Sequence, residues 1–145
     1  HLASLEAAYG RAPYLEPHLT FLREVYGRPL ERLLDLNIPI LEYLCAALGV
    51  TTRLVRLSEL DLETREPHLS VDICRALGAE RFLAQTCCER YHDAALFRAA
   101  GVEMIYLRPP SVVYPQLWGE FLANLSAWDA LFTSGSKAGE LGQGG

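Results

Sequence analysis

A chain of 145 residues, half of them apolar and with a formal net charge of −5, carries enough apolar mass for a core without disulfide or metal staples. The acidic balance argues against a nucleic-acid or acidic-membrane surface, and no run reaches the ~18 consecutive apolar residues of a membrane span. The four cysteines, Cys45, Cys74, Cys87 and Cys88, include an adjacent pair, which fits reduced thiols in a cytoplasm and not a disulfide framework.

The first third reads as helical. Leu2, Leu5, Ala8 and Tyr9 keep helical spacing up to Gly10. Pro13 suits a first helical turn, and Leu15, Leu19, Leu22 and Tyr26 follow before Gly27. Pro29 is expected to open the longest helix, with Leu30, Leu33, Leu34, Leu41, Leu44, Cys45 and Leu48 on one face and Gly49 closing it. Pro39 lacks an N–H and clashes with the carbonyl of Asp35, so that helix must kink or break.

From Thr51 the pattern alternates. Thr51 to Leu57 is rich in branched residues and reads as a strand, Pro67 to Leu77 as a helix ended by Gly78, and Arg81 to Ala84 as a short strand. Cys88 to Ala100 reads as a helix ended by Gly101, and Val102 to Leu107 as a third strand stopped by Pro109 and Pro110. The expected fold class is therefore α/β: a small three-stranded parallel sheet flanked by helices, behind a helical N-terminal third.

Tyr114 to Gly135 holds both tryptophans, Trp118 and Trp128, with Phe121 and Phe132. So many large side chains are expected to be mostly buried and to anchor the C-terminal end. A helix is expected after Ser126 through a capping box with Asp129. From 135 to 145 no periodicity is visible, so a single domain over 1–134 with a flexible tail is the expected organisation.

In open parallel sheets, ligands bind beyond the carboxyl ends of the strands. The three expected strand ends offer Ser58, then Gln85 and Thr86, then Arg108 and Tyr114. Hydroxyls, an amide and one cation suit a sugar or a nucleotide. Tyr91, Asp93 and Gln116 complete the candidate substrate contacts: the first two lie after the second strand, and Gln116 lies just before the apolar anchor. No G-x-G-x-x-G or G-x4-G-K-[ST] is present, so a nucleotide would rest on helix N-termini and arginines. Cys88 and His92, at i and i+4, form only a two-ligand pair, and no metal or cofactor is expected. No residue stands out as catalytic.

Tyr-Pro-Gln-Leu-Trp-Gly-Glu-Phe at 114–121, with Asn-Leu-Ser and Asp-x-Leu-Phe behind it, resembles the C-terminal signature of the WbqC-like proteins. Upstream, His1 to Tyr9 with Ala12-Pro13-Tyr14, Leu33 to Asn37, Leu48 to Thr52, Ser58 to Leu60, Ile73 to Gly78 and Tyr91-His92-Asp93 resemble further segments of that family. The resemblance runs to Gly135 and is read as the family's C-terminal portion only. An aromatic-rich start and a Trp-x-Asn-Arg segment of the family have no counterpart here. Cys87 and Cys88 fall where the family tends to carry glycines.

The resemblance implies a part in bacterial surface-polysaccharide (O-antigen) biosynthesis, as an acyl- or aminoacyl-transferase on a nucleotide-activated amino sugar. The alternative is a truncated, non-catalytic module that meets a partner, or a second copy, through its N-terminal helices.

Overall fold

The computed structural model describes residues 1–108 and 111–142; the diproline 109–110 and the last residues of the expected tail lie outside the described residues. The chain divides into two compact units, His1–Thr52 with Ser111–Gly145, and Arg53–Pro110.

In the first unit, α1 (Leu2–Tyr9), α2 (Leu15–Tyr26), α3 (Leu33–Ala47) and α6 (Ala127–Ser134) supply the helices. Leu15, Leu19, Leu22 and Val25 recur at helical spacing on α2 and are all buried. They meet Phe132 of α6 in one core, with Leu2, Leu5 and Tyr9 packed on its margin. The helix expected from Pro29 starts only at Leu33. Asp35 Oδ2 accepts from the Arg32 backbone N–H at 2.9 Å, and this first-turn cap defines the start. Pro39 is held inside α3, not at a break.

Aromatic rings fill the space between α2, α3 and α6. Phe21 stacks on Tyr43 at 3.8 Å, Trp128 stacks on Phe132 at 5.6 Å, and Tyr9 meets Phe132 edge-on at 5.0 Å. Beyond α6 the chain winds as a 3₁₀ helix, Gly135–Gly142. Gly135 makes that turn with φ 60° and ψ −137°, a region open essentially to glycine alone. A Cβ there would lie 2.8 Å from the Tyr14 ring, so the same glycine lets Tyr14 close against the end of α6.

The run 114–125 is not buried as its composition led one to expect. Trp118 is 57% exposed and Leu122 60%, whereas Leu131 and Phe132 on α6 are 1% and 0% exposed. Trp118 instead lies on the surface of α1, with Nε1 donating to the Ala8 carbonyl at 2.9 Å and Arg11 over its ring.

The second unit contains α4 (Leu69–Ala76), β1 (Arg81–Gln85), a 3₁₀ turn at Thr86–Tyr91, α5 (Ala94–Ala99) and β2 (Glu103–Leu107). β1 and β2 pair in parallel, from Arg81 opposite Glu103 to Gln85 opposite Leu107. One face packs Phe82 and Met104 on Val71, Cys74, Phe97 and Val102.

The three-stranded sheet is thus corrected to a two-stranded one. Thr51 to Arg56 has no ladder partner, and Leu57–Glu59 is a 3₁₀ turn. Branched residues favour a strand only where a neighbour and a buried face receive them. Here the segment holds the passage between the units, and Leu54 and Leu57 are each 46% exposed. The helix expected over 88–100 is also divided. Asp93 accepts from the Ala95 N–H at 2.9 Å and starts α5 afresh, so the residues before it wind separately.

Candidate functional site

Each unit carries its own group of candidate residues. In the second unit, Gln85 ends β1, Thr86 follows it, and Arg108 follows β2, so the three share the carboxyl edge of the sheet. Thr86 Oγ1 donates to the Leu107 carbonyl at 3.3 Å and ties the two strand ends together. Tyr91 is 61% exposed; Arg90 lies over its ring and donates to its hydroxyl at 2.5 Å. Asp93 spends its Oδ1 on the cap of α5. Ser58 sits in the Leu57–Glu59 turn and ends no strand. The Cys88 thiol is pushed up, first by the hydrogen bond with Cys87, while Arg90 pulls it the other way.

In the first unit the centre is Asp129. Helical spacing puts it on the same side of α6 as Phe132 and Thr133, and it is 4% exposed. Tyr9 of α1 donates to Asp129 Oδ1 at 2.8 Å. Burial first, and then this bond, push the Tyr9 hydroxyl up to about 12. Asp129 Oδ2 is buried with no partner among the described residues. Burial also raises the Tyr114 hydroxyl, Asp129 adds to the rise, and Gln116 opposes it.

The capping box expected at Ser126 does not form. Ser126 Oγ accepts from the Trp128 N–H at 3.3 Å, and the Asp129 side chain turns to Tyr9. An aromatic hydroxyl in the core competes for the carboxylate that a solvent-facing helix start would have kept.

Gln116 closes a loop. Its Nε2 donates to the Leu122 carbonyl and its Oε1 accepts from the Leu122 N–H, both at 2.8 Å. Both ends of its amide are therefore engaged with backbone. Tyr114, two residues earlier, lines a cavity of about 290 Å³. Tyr14, Tyr114, Thr133, Ser134 and Lys137 line it. Val113, Pro115 and Leu141 form its apolar wall. Ser134 Oγ is buried with no partner among the described residues. Thr133 Oγ1 donates to the Asp129 carbonyl at 2.8 Å, linking this wall to the carboxylate's own turn of helix.

Sequence reasoning singled out Tyr114, read Asp129 as a capping-box residue, and did not place Tyr9, Ser134 or Lys137 near them. One signal was available for Asp129: an acid three residues before the buried Phe132 falls on the apolar face. Tyr9 and Lys137 carried none, since their roles depend on elements far apart in the chain.

Among the described residues no helix is long and apolar enough to cross a membrane. No group of three or more His, Cys, Asp or Glu among them is arranged to hold a metal ion.

Comparison with known proteins agrees with the resemblance read from the sequence. The model of the WbqC-like protein family matches residues 1–141, a span beyond the limit at Gly135 drawn from sequence and essentially the whole chain. An uncharacterised protein of Mycobacterium tuberculosis is 25% identical over 140 residues, covering 95% of this chain. The chain spans 61% of the length of that relative. No solved structure matches. With a family model matched from His1 to residue 141, the chain belongs to the WbqC-like protein family.

Proposed function

We propose that this protein takes part in bacterial surface-polysaccharide biosynthesis by binding a nucleotide-activated amino sugar for acyl or aminoacyl transfer. The cavity beside α6 supports this reading most. Tyr14, Tyr114 and Lys137 line it, two phenols and a cation, a set suited to a sugar ring with a phosphate at its edge. Its volume, about 290 Å³, admits a sugar ring and leaves the nucleotide outside. Tyr114 and Lys137 are the proposed contacts, with Gln116 positioning the Tyr114 loop through Leu122. In the other unit, Gln85, Thr86 and Arg108 are proposed contacts at the sheet edge, with Ser58, Tyr91 and Asp93 near them in sequence. A thermal-shift titration with sugar nucleotides tests the reading. Ligand at 100 Kd should add roughly 2.7 kcal/mol of stability, and Lys137→Ala should weaken binding by about tenfold or more through loss of a charge-assisted bond. Absence of stabilisation by every sugar nucleotide at saturating concentration contradicts it.

A second reading is favoured by α3. Leu33 is 72% exposed, Leu34 52% and Leu41 44% on that single helix. Such a row is suited to a partner or to a second copy. Light scattering across concentration should show association, weakened by Leu33→Glu with Leu34→Glu. A strict monomer at all concentrations opposes self-association.

A further inference from the structure

The turn that follows β1 places two thiols side by side. Cys87 and Cys88 are free, Cys87 is exposed and Cys88 partly so. Their Sγ atoms are 3.8 Å apart, too far for a disulfide and joined instead by a hydrogen bond. Two thiolates each about 2.3 Å from a tetrahedral ion stand about 3.8 Å apart, which is the gap already present. A third donor is at hand, because Cys87 Sγ also contacts Gln85 Oε1 at 3.5 Å. The position matters equally. Gln85 is the last residue of β1, and the carboxyl edge of a parallel sheet is where such units receive ligands.

We propose that Cys87 and Cys88 form a two-thiolate binding site for a thiophilic divalent cation of the zinc type at the carboxyl edge of the β1–β2 sheet. The cation replaces the two thiol protons, which leave to solvent, so nothing is oxidised or reduced. Gln85 Oε1 is the neutral third ligand, and the remaining position faces outward. His92 contributes nothing to this set: its Nδ1 is buried, and its ring packs edge-on against Phe82 at 5.1 Å. The thiolate pair discriminates against hard cations such as Mg²⁺, which take oxygen donors.

The test uses the reduced full chain in buffer free of thiol reductant, with Zn²⁺ as the probe. Calorimetry should give one ion per chain. Alkylation read by intact mass and peptide mapping should show Cys87 and Cys88 protected together when Zn²⁺ is present. Cys87→Ser and Cys88→Ser should each weaken binding at least tenfold, while Cys45→Ser in the other unit leaves it unchanged. Both serine variants should keep the wild-type circular dichroism spectrum. Zn²⁺ that protects neither thiol, or that binds Cys87→Ser as tightly as wild type, overturns the proposal. Sugar-nucleotide binding is measured on the full chain in chelator and read at Lys137, and Zn²⁺ binding without nucleotide is read at the two thiols, so failure of the cavity reading and failure of the cation site are told apart.

Discussion

Phe132→Ala should lower the stability of the first unit by about 3–5 kcal/mol. The ring is 0% exposed and touches three kinds of neighbour: the leucines of α2, the Tyr9 ring of α1 and the Trp128 ring of its own helix. Truncation removes the buried apolar area and leaves a void that rings on three elements cannot all close. Small domains hold only about 5–15 kcal/mol in total, so the loss takes a large share. Phe132→Leu, which keeps most of the volume, should lose much less. Urea denaturation of the three proteins measures this. A loss below about 1 kcal/mol for the alanine variant would mean that α6 does not carry the core.

The second large effect concerns Tyr9. Tyr9→Phe removes the hydrogen bond to the buried Asp129 Oδ1 and should cost about 1–3 kcal/mol, the range for a buried polar group deprived of its partner. The double variant Tyr9→Phe with Asp129→Leu should be more stable than Tyr9→Phe alone, because replacing both partners by apolar groups leaves no orphaned polar atom. The pH profile reports the buried Tyr9 hydroxyl, raised first by burial and then by this bond. The folded Tyr9 hydroxyl sits at about 12, above the unperturbed 10.0. A group raised in the folded state stabilises fully below its unfolded value and loses that contribution as pH rises through its folded value. Wild-type stability should therefore fall between pH 10 and 12 with a component that Tyr9→Phe lacks. Equal slopes in both proteins would show that the Tyr9 hydroxyl is neither buried nor bound as described.

Where apolar spacing decides the structure, the sequence reading and the molecule agree. α1 ends at Tyr9 before Gly10, and α2 buries Leu15, Leu19 and Leu22, as the periodicity requires. β1 and β2 fall on the runs at 81 and 103, within a residue of the bounds read from branched content and glycine stops. Thr51 to Leu57 misled because branched composition describes a suitability for pleated surface, and no neighbouring strand realises it. Cys88 to Ala100 misled for a local reason: Asp93 is a better helix start than helix interior, and the Ala95 N–H donates to its side chain.

The placement of the candidate residues on the fold was legible in part. Tyr114 follows from its place before the apolar anchor, and Gln85, Thr86 and Arg108 follow from strand ends that do form. Asp129 was hidden by a competing local explanation. Ser-x-x-Asp at a helix start reads as a capping box, and only the approach of Tyr9, 120 residues away, turns the carboxylate inward. Lys137 sits in a run without apolar period, which follows the turn that Gly135 makes beside the Tyr14 ring.

The central claim is that the cavity beside α6 holds the sugar of a nucleotide-activated amino sugar. Backbone amide chemical-shift mapping during titration with UDP- and dTDP-linked amino sugars tests it most directly. The account predicts saturable shifts concentrated at residues 113–114 and 133–137, abolished by Lys137→Ala. Saturable shifts that leave those residues unmoved, or none with any such nucleotide, would contradict it.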